Sequence, residues 1–218
     1  RFQVSHSRDD ITPMVWANVE IATQLVDVAY SCGSRFVTVS SAWQRYEGRD
    51  HAPVNLYAAT KQAFDSIADF YQGEGLDLTR LFLFDVYGPG DRRRKLVPLL
   101  MSAAATGQPL QATSGRQLID LTFVDDVVRA ITDVALGNES PSFVDAVVKS
   151  GAMTIRQVAD IVSEAIRRPV PVEWGAVPDR SKEMLNDWEL EPVLPGWSPT
   201  VSLTEGLKRT WEGAHDDS

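Results

Sequence analysis

The chain has 218 residues, 44% apolar and 23% charged, an ordinary globular balance with room for one core or two small ones. A formal charge of −9 argues against a general nucleic-acid binder, and three scattered histidines give no metal-ligand spacing. No apolar run approaches a membrane span and no signal peptide is visible, while a single cysteine, Cys32, excludes an internal disulfide and fits a reducing, cytoplasmic compartment.

Val15, Trp16, Val19, Ala22, Leu25, Val26 and Ala29 recur at a helical period, and Gly33 ends that helix. Residues 36–39 read as a short β-branched strand that runs into Ser40 and Ser41. A polar loop follows over 42–54, and Asn55 caps a helix reaching to about Tyr71. Residues 78–84 are a nearly continuous apolar run, as in a central parallel strand. The strand–helix–strand order predicts a doubly wound α/β layer.

The second half predicts a helix over 96–106 closed by Gly107, then a strand over 118–124. Asp125 and Asp126 open a helix to about Leu136, and a strand covers 143–148. Residues 154–166 form an amphipathic helix with Ile155, Val158, Ala159, Ile161 and Val162 inward. A short strand near 170–174, a Pro-, Trp- and Asp-rich loop over 175–200, a last helix over 203–211 and a frayed end at 214–218 complete the chain.

Tyr57 and Lys61 stand four residues apart on the predicted helix, so they share one face about one turn apart. An ammonium beside a phenol stabilises the phenolate and draws its pKa down from about 10. Such a pair can give a proton to, or take one from, a carbinol oxygen during hydride transfer. The spacing alone also suits an ordinary surface helix. The strand ending in two hydroxyls before it, and Leu81-Phe-Leu-Phe-Asp-Val-Tyr-Gly-Pro-Gly-Asp91 after it, shift the balance towards chemistry.

Ser40-Ser41, Tyr57/Lys61, Tyr87-Gly88-Pro89, Gln117-Leu-Ile-Asp120 with Val124-Asp125-Asp126, and Gly196-Trp197-Ser198-Pro199 occur in an order that spans nearly the whole chain. In that order the chain resembles the extended short-chain dehydrogenase/reductase (NAD-dependent epimerase/dehydratase) family. Ser41-Ala-Trp-Gln44, the run from Asn55 to Phe64 and Gln117-Leu-Ile-Asp-Leu121 look most like its CDP-abequose/CDP-paratose synthase-type 4-ketoreductases. The resemblance implies a Rossmann-like doubly wound parallel sheet over 1–92 and a small α/β substrate lobe over 93–218, with segments near 118–148 returning to the main sheet.

It also implies roles. Tyr57 would be the general acid/base, Lys61 its electrostatic partner and a ligand of the nicotinamide ribose, and Ser41 the hydroxyl that polarises the sugar carbonyl. Ser40 is the runner-up for that hydroxyl. Ser40, Tyr57, Lys61 and Tyr87 are the candidate NAD or NADP contacts. Ser41, Trp43, Asp85, Arg92, Arg94, Lys95 and Gln117 are the candidate contacts of a nucleotide sugar, a CDP-sugar being favoured. For the cationic run Arg92-Arg-Arg-Lys95 a solvated charge cluster is the competing reading. The family's 4,6-dehydratases carry Asp-Glu directly after the strand-tip hydroxyl. Here Ala42-Trp43 stands there, and neither side chain moves a proton at neutral pH.

Two departures bear on the substrate. Asp85 replaces the Asn that often precedes Tyr-Gly-Pro, and Ile119 replaces the arginine of Gln-x-Arg-Asp. Both put a standard UDP-glucose epimerase in doubt. A third concerns the cofactor. Gly73-Glu-Gly75 lacks a third glycine, and Gly88-Pro-Gly90 runs into the arginine cluster, so neither is the Gly-rich turn that cradles a dinucleotide. The resemblance implies that relatives carry a βαβ-rich front of roughly 60–80 residues that this sequence does not contain. Three readings follow: a 4-ketoreductase, a 4-epimerase on the same scaffold, and a non-catalytic remnant or binding module. A homodimer is expected by analogy, through two helices per subunit, with Trp16 and Phe64 as candidate contacts unless core packing claims them.

Overall fold

The computed structural model describes residues 5–137, 141 and 143–214. It divides into two units, one comprising Arg1–Leu83, Arg129–Val148 and Trp188–Trp197, the other Phe84–Val128, Lys149–Asp187 and Ser198–Ser218.

In the first unit three strands, β1 (Phe36–Ser41), β2 (Leu78–Leu83) and β6 (Asp145–Val148), pair in parallel in the order β1-β2-β6. Phe36 lies beside Leu78 and Ser41 beside Leu83, so the Ser40-Ser41 pair sits at the carboxyl end of β1. Central β2 is buried along its whole length, which is why it reads as an apolar run. Arg80 is the one charged residue within it, 8% exposed beside buried Thr79.

The first helix begins earlier than its apolar period does. α1 (Arg8–Val15) opens at a capping box in which the Ser7 amide and hydroxyl donate to Asp10, and its polar first turn carries no periodic signal. A π-helical turn over Trp16–Glu20 joins it to α2 (Ile21–Ser31). The wider turn breaks the single 3.6-residue face across 15–29. Val26 is buried, whereas Val15, Trp16 and Leu25 are 41%, 53% and 57% exposed. α3 (Leu56–Gly73) starts where Asn55 Oδ1 accepts the Ala58 N–H at 2.9 Å, as the cap predicts. Phe64 and Ala68 of α3 pack with Val26, Leu76 and Leu78 into one core, so Phe64, 2% exposed, is a core residue.

In the second unit β3 (Asp85–Tyr87) pairs in parallel with β5 (Leu118–Phe123), and β5 pairs antiparallel with β7 (Ala152–Thr154). A separate parallel pair joins β4 (Leu110–Ala112) to β8 (Val172–Trp174). β3, β4 and β7 have three residues each, too few for an alternation to register in the sequence. Helices α4 (Leu96–Thr106), α6 (Ile155–Ile166) and α7 (Leu203–Gly213) close on a core of Tyr87, Leu100, Phe123, Val158, Val162 and Leu207. Thr154 caps α6, and Gly107 ends α4 at φ +70°, both where the sequence places them. α5 (Val124–Leu136) carries buried Asp126 in its first turn, and the Asp126 carboxylate accepts the Thr200 and Val201 N–H groups at 3.0 Å. Residues 215–218, expected to fray, lie outside the described residues.

Candidate active site

The first unit brings Ser40, Ser41, Trp43, Tyr57 and Lys61 to the carboxyl end of β1. In parallel α/β sheets that end is where ligands bind. Lys61 Nζ donates to the Val39 carbonyl at 2.8 Å, which pins the ammonium beside the strand tip. Tyr57 is half-buried one turn earlier on α3. Ser41 is buried, and its Oγ accepts the Trp43 N–H at 3.3 Å as the chain turns into a 3-10 turn. An oxygen held this way keeps its own hydrogen for donation. Ser40 is committed differently, because its hydroxyl donates to Asp65 at 2.9 Å.

Burial lowers the Lys61 pKa, and the Asp65 carboxylate opposes that shift. Burial raises the Asp65 pKa, opposed by hydrogen bonds from Gln44 and Ser40 and by the Arg80 charge. The strand tip therefore rests on an extended polar network. Gln44 Nε2 donates to Asp65 at 2.5 Å, and Gln44 Oε1 accepts the Ser41 N–H at 2.7 Å. Arg80 donates to the Asp65 carbonyl at 3.2 Å and to Asp145 at 2.7 Å, and Asp145 also accepts from Arg45 at 2.7 Å.

The second unit holds Asp85, Tyr87, Arg92, Arg94, Lys95 and Gln117. The Asp85 carboxyl, pushed up by burial and held down by Lys95, lies 3.8 Å from Lys95 Nζ. Arg93 forms a two-point pair with Asp91, at 2.7 and 2.8 Å, whereas Arg92 and Arg94 are exposed. A cleft of about 380 Å³ opens over this turn, lined by Gly88, Pro89, Gly90, Asp91, Arg92 and Arg93 among others. Gln117 is 7% exposed; its Nε2 donates to Thr113 Oγ1, and its Oε1 has no partner among the described residues. Tyr87 is placed otherwise. It is 3% exposed, packs edge-on against Phe123, and burial with the nearby Asp126 charge pushes its phenol pKa well up.

Sequence reasoning missed four supports of the first set: Asn18, Gln44, Asp65 and Arg80. Asn18, buried in the π-helical turn, donates to Thr60 Oγ1 at 2.9 Å, and Thr60 Oγ1 in turn donates to the Tyr57 carbonyl at 2.8 Å. Two of the four carry a signal in the sequence: Asp65 lies four residues after Lys61, and Arg80 interrupts an apolar strand.

Parallel strands joined through helices, with a hydroxyl-tipped β1 and a half-buried lysine beside it, make this a Rossmann-like α/β protein. Residues 2–142 match the model of the NAD dependent epimerase/dehydratase family, and the chain belongs to that family. A CDP-abequose synthase of Salmonella muenchen is 24% identical over 209 residues, 93% of this chain and 71% of the relative. A UDP-glucuronate 4-epimerase of Thermodesulfobacterium geofontis is 24% identical over 217 residues, 89% of this chain and 64% of the relative. Among solved structures, UDP-glucose 4-epimerase of Thermotoga maritima with UDP-glucose superposes with a TM-score of 0.79 at 22% identity, over 93% of this chain and 71% of that one. The fold is theirs.

The family is NAD dependent, and the residues present fit the nicotinamide end of that group. Lys61 has three N–H donors and one acceptor, the Val39 carbonyl, among the described residues. Its remaining donors suit ribose hydroxyls.

Proposed function

We propose that the protein is an NAD(P)-dependent oxidoreductase that reduces the 4-keto group of a nucleotide-activated sugar. The carrying observation is the juxtaposition of Lys61 and Ser41 at one strand end, with Tyr57 a turn away on α3. NAD(P), when bound, supplies the hydride. Ser41 donates its free hydrogen to the keto oxygen, Tyr57 gives that oxygen a proton as negative charge builds, and Lys61 favours the phenolate left behind. Lys61 and Tyr57 would also hold the nicotinamide ribose. Ala42 and Trp43 supply no acid or base beyond this set, which favours reduction over dehydration. Asp85, Arg92, Arg94, Lys95 and Gln117 are proposed to hold the nucleotide sugar, with the exposed arginines suited to its diphosphate. The similarity to CDP-abequose synthases favours a CDP-sugar.

Epimerisation is the second reading, supported by the similarity to UDP-glucuronate 4-epimerases, and it uses the same three side chains. The full-length protein is assayed with CDP- and UDP-linked sugars, with and without added NAD(P)H. Stoichiometric oxidation of NAD(P)H by a 4-keto CDP-sugar is expected. Interconversion of 4-epimers without net cofactor use would replace the reductase by the epimerase, and turnover of none of them would leave a binding module.

A homodimer is part of this proposal. Ile11, Val15, Trp16, Leu25 and Val28 are each at least 40% exposed on the first helices, an apolar face that a second copy would cover. Trp16, 53% exposed, remains a candidate contact where Phe64 does not. Sedimentation velocity is expected to show a dimer that Trp16→Glu converts to monomer. A monomeric wild type, or a variant that stays dimeric, would remove this part.

A further inference from the structure

Asp65 lies one turn beyond Lys61 on α3, on the face that carries Tyr57. Asp65 is 2% exposed, yet its carboxylate accepts from two donors, the Ser40 hydroxyl, whose Oγ lies 2.9 and 3.2 Å from the two oxygens, and Gln44 Nε2. A carboxylate is acceptor-only, so it fixes the orientation of both donors. With its amide nitrogen tied to Asp65, Gln44 must turn its oxygen outward, and that oxygen receives the Ser41 N–H at 2.7 Å. The chain of contacts thus ends on the backbone of the residue assigned to polarise the substrate carbonyl.

The surrounding charges divide clearly. Arg80, from β2, touches only the backbone carbonyl of Asp65 and spends its guanidinium on Asp69 and Asp145, while Arg45 pairs with Asp145 and Asp50. Arg80 and Asp145 reach Asp65 by charge alone, one favouring and one opposing its ionised form. Lys61 meets the Val39 carbonyl and the Asp65 charge. Asp65 has no direct use in the proposed chemistry, and a carboxylate is a costly group to bury for packing alone.

We propose that Asp65 is the positioning residue of the Ser41, Tyr57 and Lys61 set: its carboxylate locks the β1 tip through Ser40 and Gln44 and, one turn from Lys61 on α3, places a negative charge on the same helix face as the ammonium. This rests on the oxidoreductase reading. Its two arms separate experimentally. In Asp65→Asn the amide oxygen faces Gln44 and the NH2 faces Ser40, so the Ser40 hydroxyl loses its nearest acceptor and the hold on the β1 tip loosens there. The charge one turn from Lys61 is lost as well. Arg80 keeps both ion pairs, so the fold is retained. Asp65→Glu keeps the charge, and Gln44→Met keeps it too while removing the Gln44 bonds to the Ser41 N–H and to Asp65.

The three variants of the full-length protein are assayed by kcat, KM and the pH dependence of kcat. The Lys61 ammonium is also titrated by NMR on 15N-lysine-labelled protein without any cofactor. In Asp65→Asn, kcat is expected to fall about ten- to hundredfold, with KM changed by no more than about twofold, because misplacement within the reacting set rather than substrate binding is affected. The alkaline limb of kcat shifts to lower pH, because Lys61 without its counter-charge gives up its proton sooner as pH rises, and the NMR titration moves the same way. Asp65→Glu restores the limb, and Gln44→Met lowers kcat without moving it. An unchanged Lys61 titration in Asp65→Asn, or a kcat loss that merely follows the fraction of protein unfolded at every pH, would overturn the proposal. If the wild type turns over no nucleotide sugar while Asp65→Asn still moves the Lys61 titration, the enzymatic reading fails and the charge coupling stands.

Discussion

Tyr57→Phe is expected to lower kcat about 10²- to 10⁴-fold, the range that a positioned general acid contributes. The substitution removes one hydroxyl and keeps the ring, so the half-buried packing of Tyr57 on α3 survives. The Thr60 hydrogen bond to the Tyr57 carbonyl is backbone-directed and also survives. KM for the sugar should therefore stay within about twofold, since the hydroxyl serves the sugar only as the proton moves, whereas KM for NAD(P)H should rise with the loss of its ribose contact. Ser41→Ala should cost less, since its hydroxyl stabilises charge without delivering the proton. A Tyr57→Phe variant within about tenfold of wild type would mean that another group transfers the proton. The mechanism proposed for this site would then be wrong.

The second large effect is on stability. Asp145 binds two guanidiniums at once, Arg80 and Arg45, each at 2.7 Å, and the side chains are only 10% and 15% exposed. Removing one partner of a buried pair costs about 3–5 kcal/mol because the charge left behind stays desolvated. Here Arg80 retains Asp69, and Arg45 retains Asp50 and the Phe82 ring 3.9 Å away. Asp145→Ala should accordingly cost somewhat less, about 2–3 kcal/mol, and lower the urea midpoint by about 1 M. Asp69→Ala is the control: Asp69 is 54% exposed, so its loss should cost under about 1 kcal/mol. Equal effects for the two variants would show that the network beneath β1 and β2 is not the buried, shared pair described.

The sequence made the regular elements legible wherever the physics is local. Asn55, Thr154 and Gly107 mark helix ends through their own side chain or φ, and the structure places the ends there. Burial on both faces turns β2 into an apolar run that needs no partner to be recognised. What stayed hidden depends on residues far apart in the chain. The first helix carries a π-helical turn at Trp16–Glu20, so a single apolar period drawn through it assigns Trp16 and Leu25 to a face they do not bury. β3, β4 and β7 exist because a neighbour pairs with them.

The site divides the same way. Tyr57, Lys61 and Ser41 announce themselves by spacing and by family order. Asp65, Gln44 and Arg80 look like ordinary polar residues until α3, β1 and β2 bring them together. Ser40 could be read either way from the sequence, and the hydrogen bond it gives Asp65 now sets it apart from Ser41. Tyr87 sits in the family's Tyr-Gly-Pro turn, and the structure packs its ring against Phe123 within the second unit's core.

The most direct test of the central claim is to incubate the full-length protein with NAD(P)H deuterated at the transferable position and a 4-keto CDP-sugar. The product is then read by mass spectrometry and NMR. The account predicts one deuterium on the sugar ring carbon that bore the keto oxygen, appearing in Tyr57→Phe about 10²- to 10⁴-fold more slowly than in wild type. Deuterium in no nucleotide sugar, together with no interconversion of 4-epimers, would contradict it.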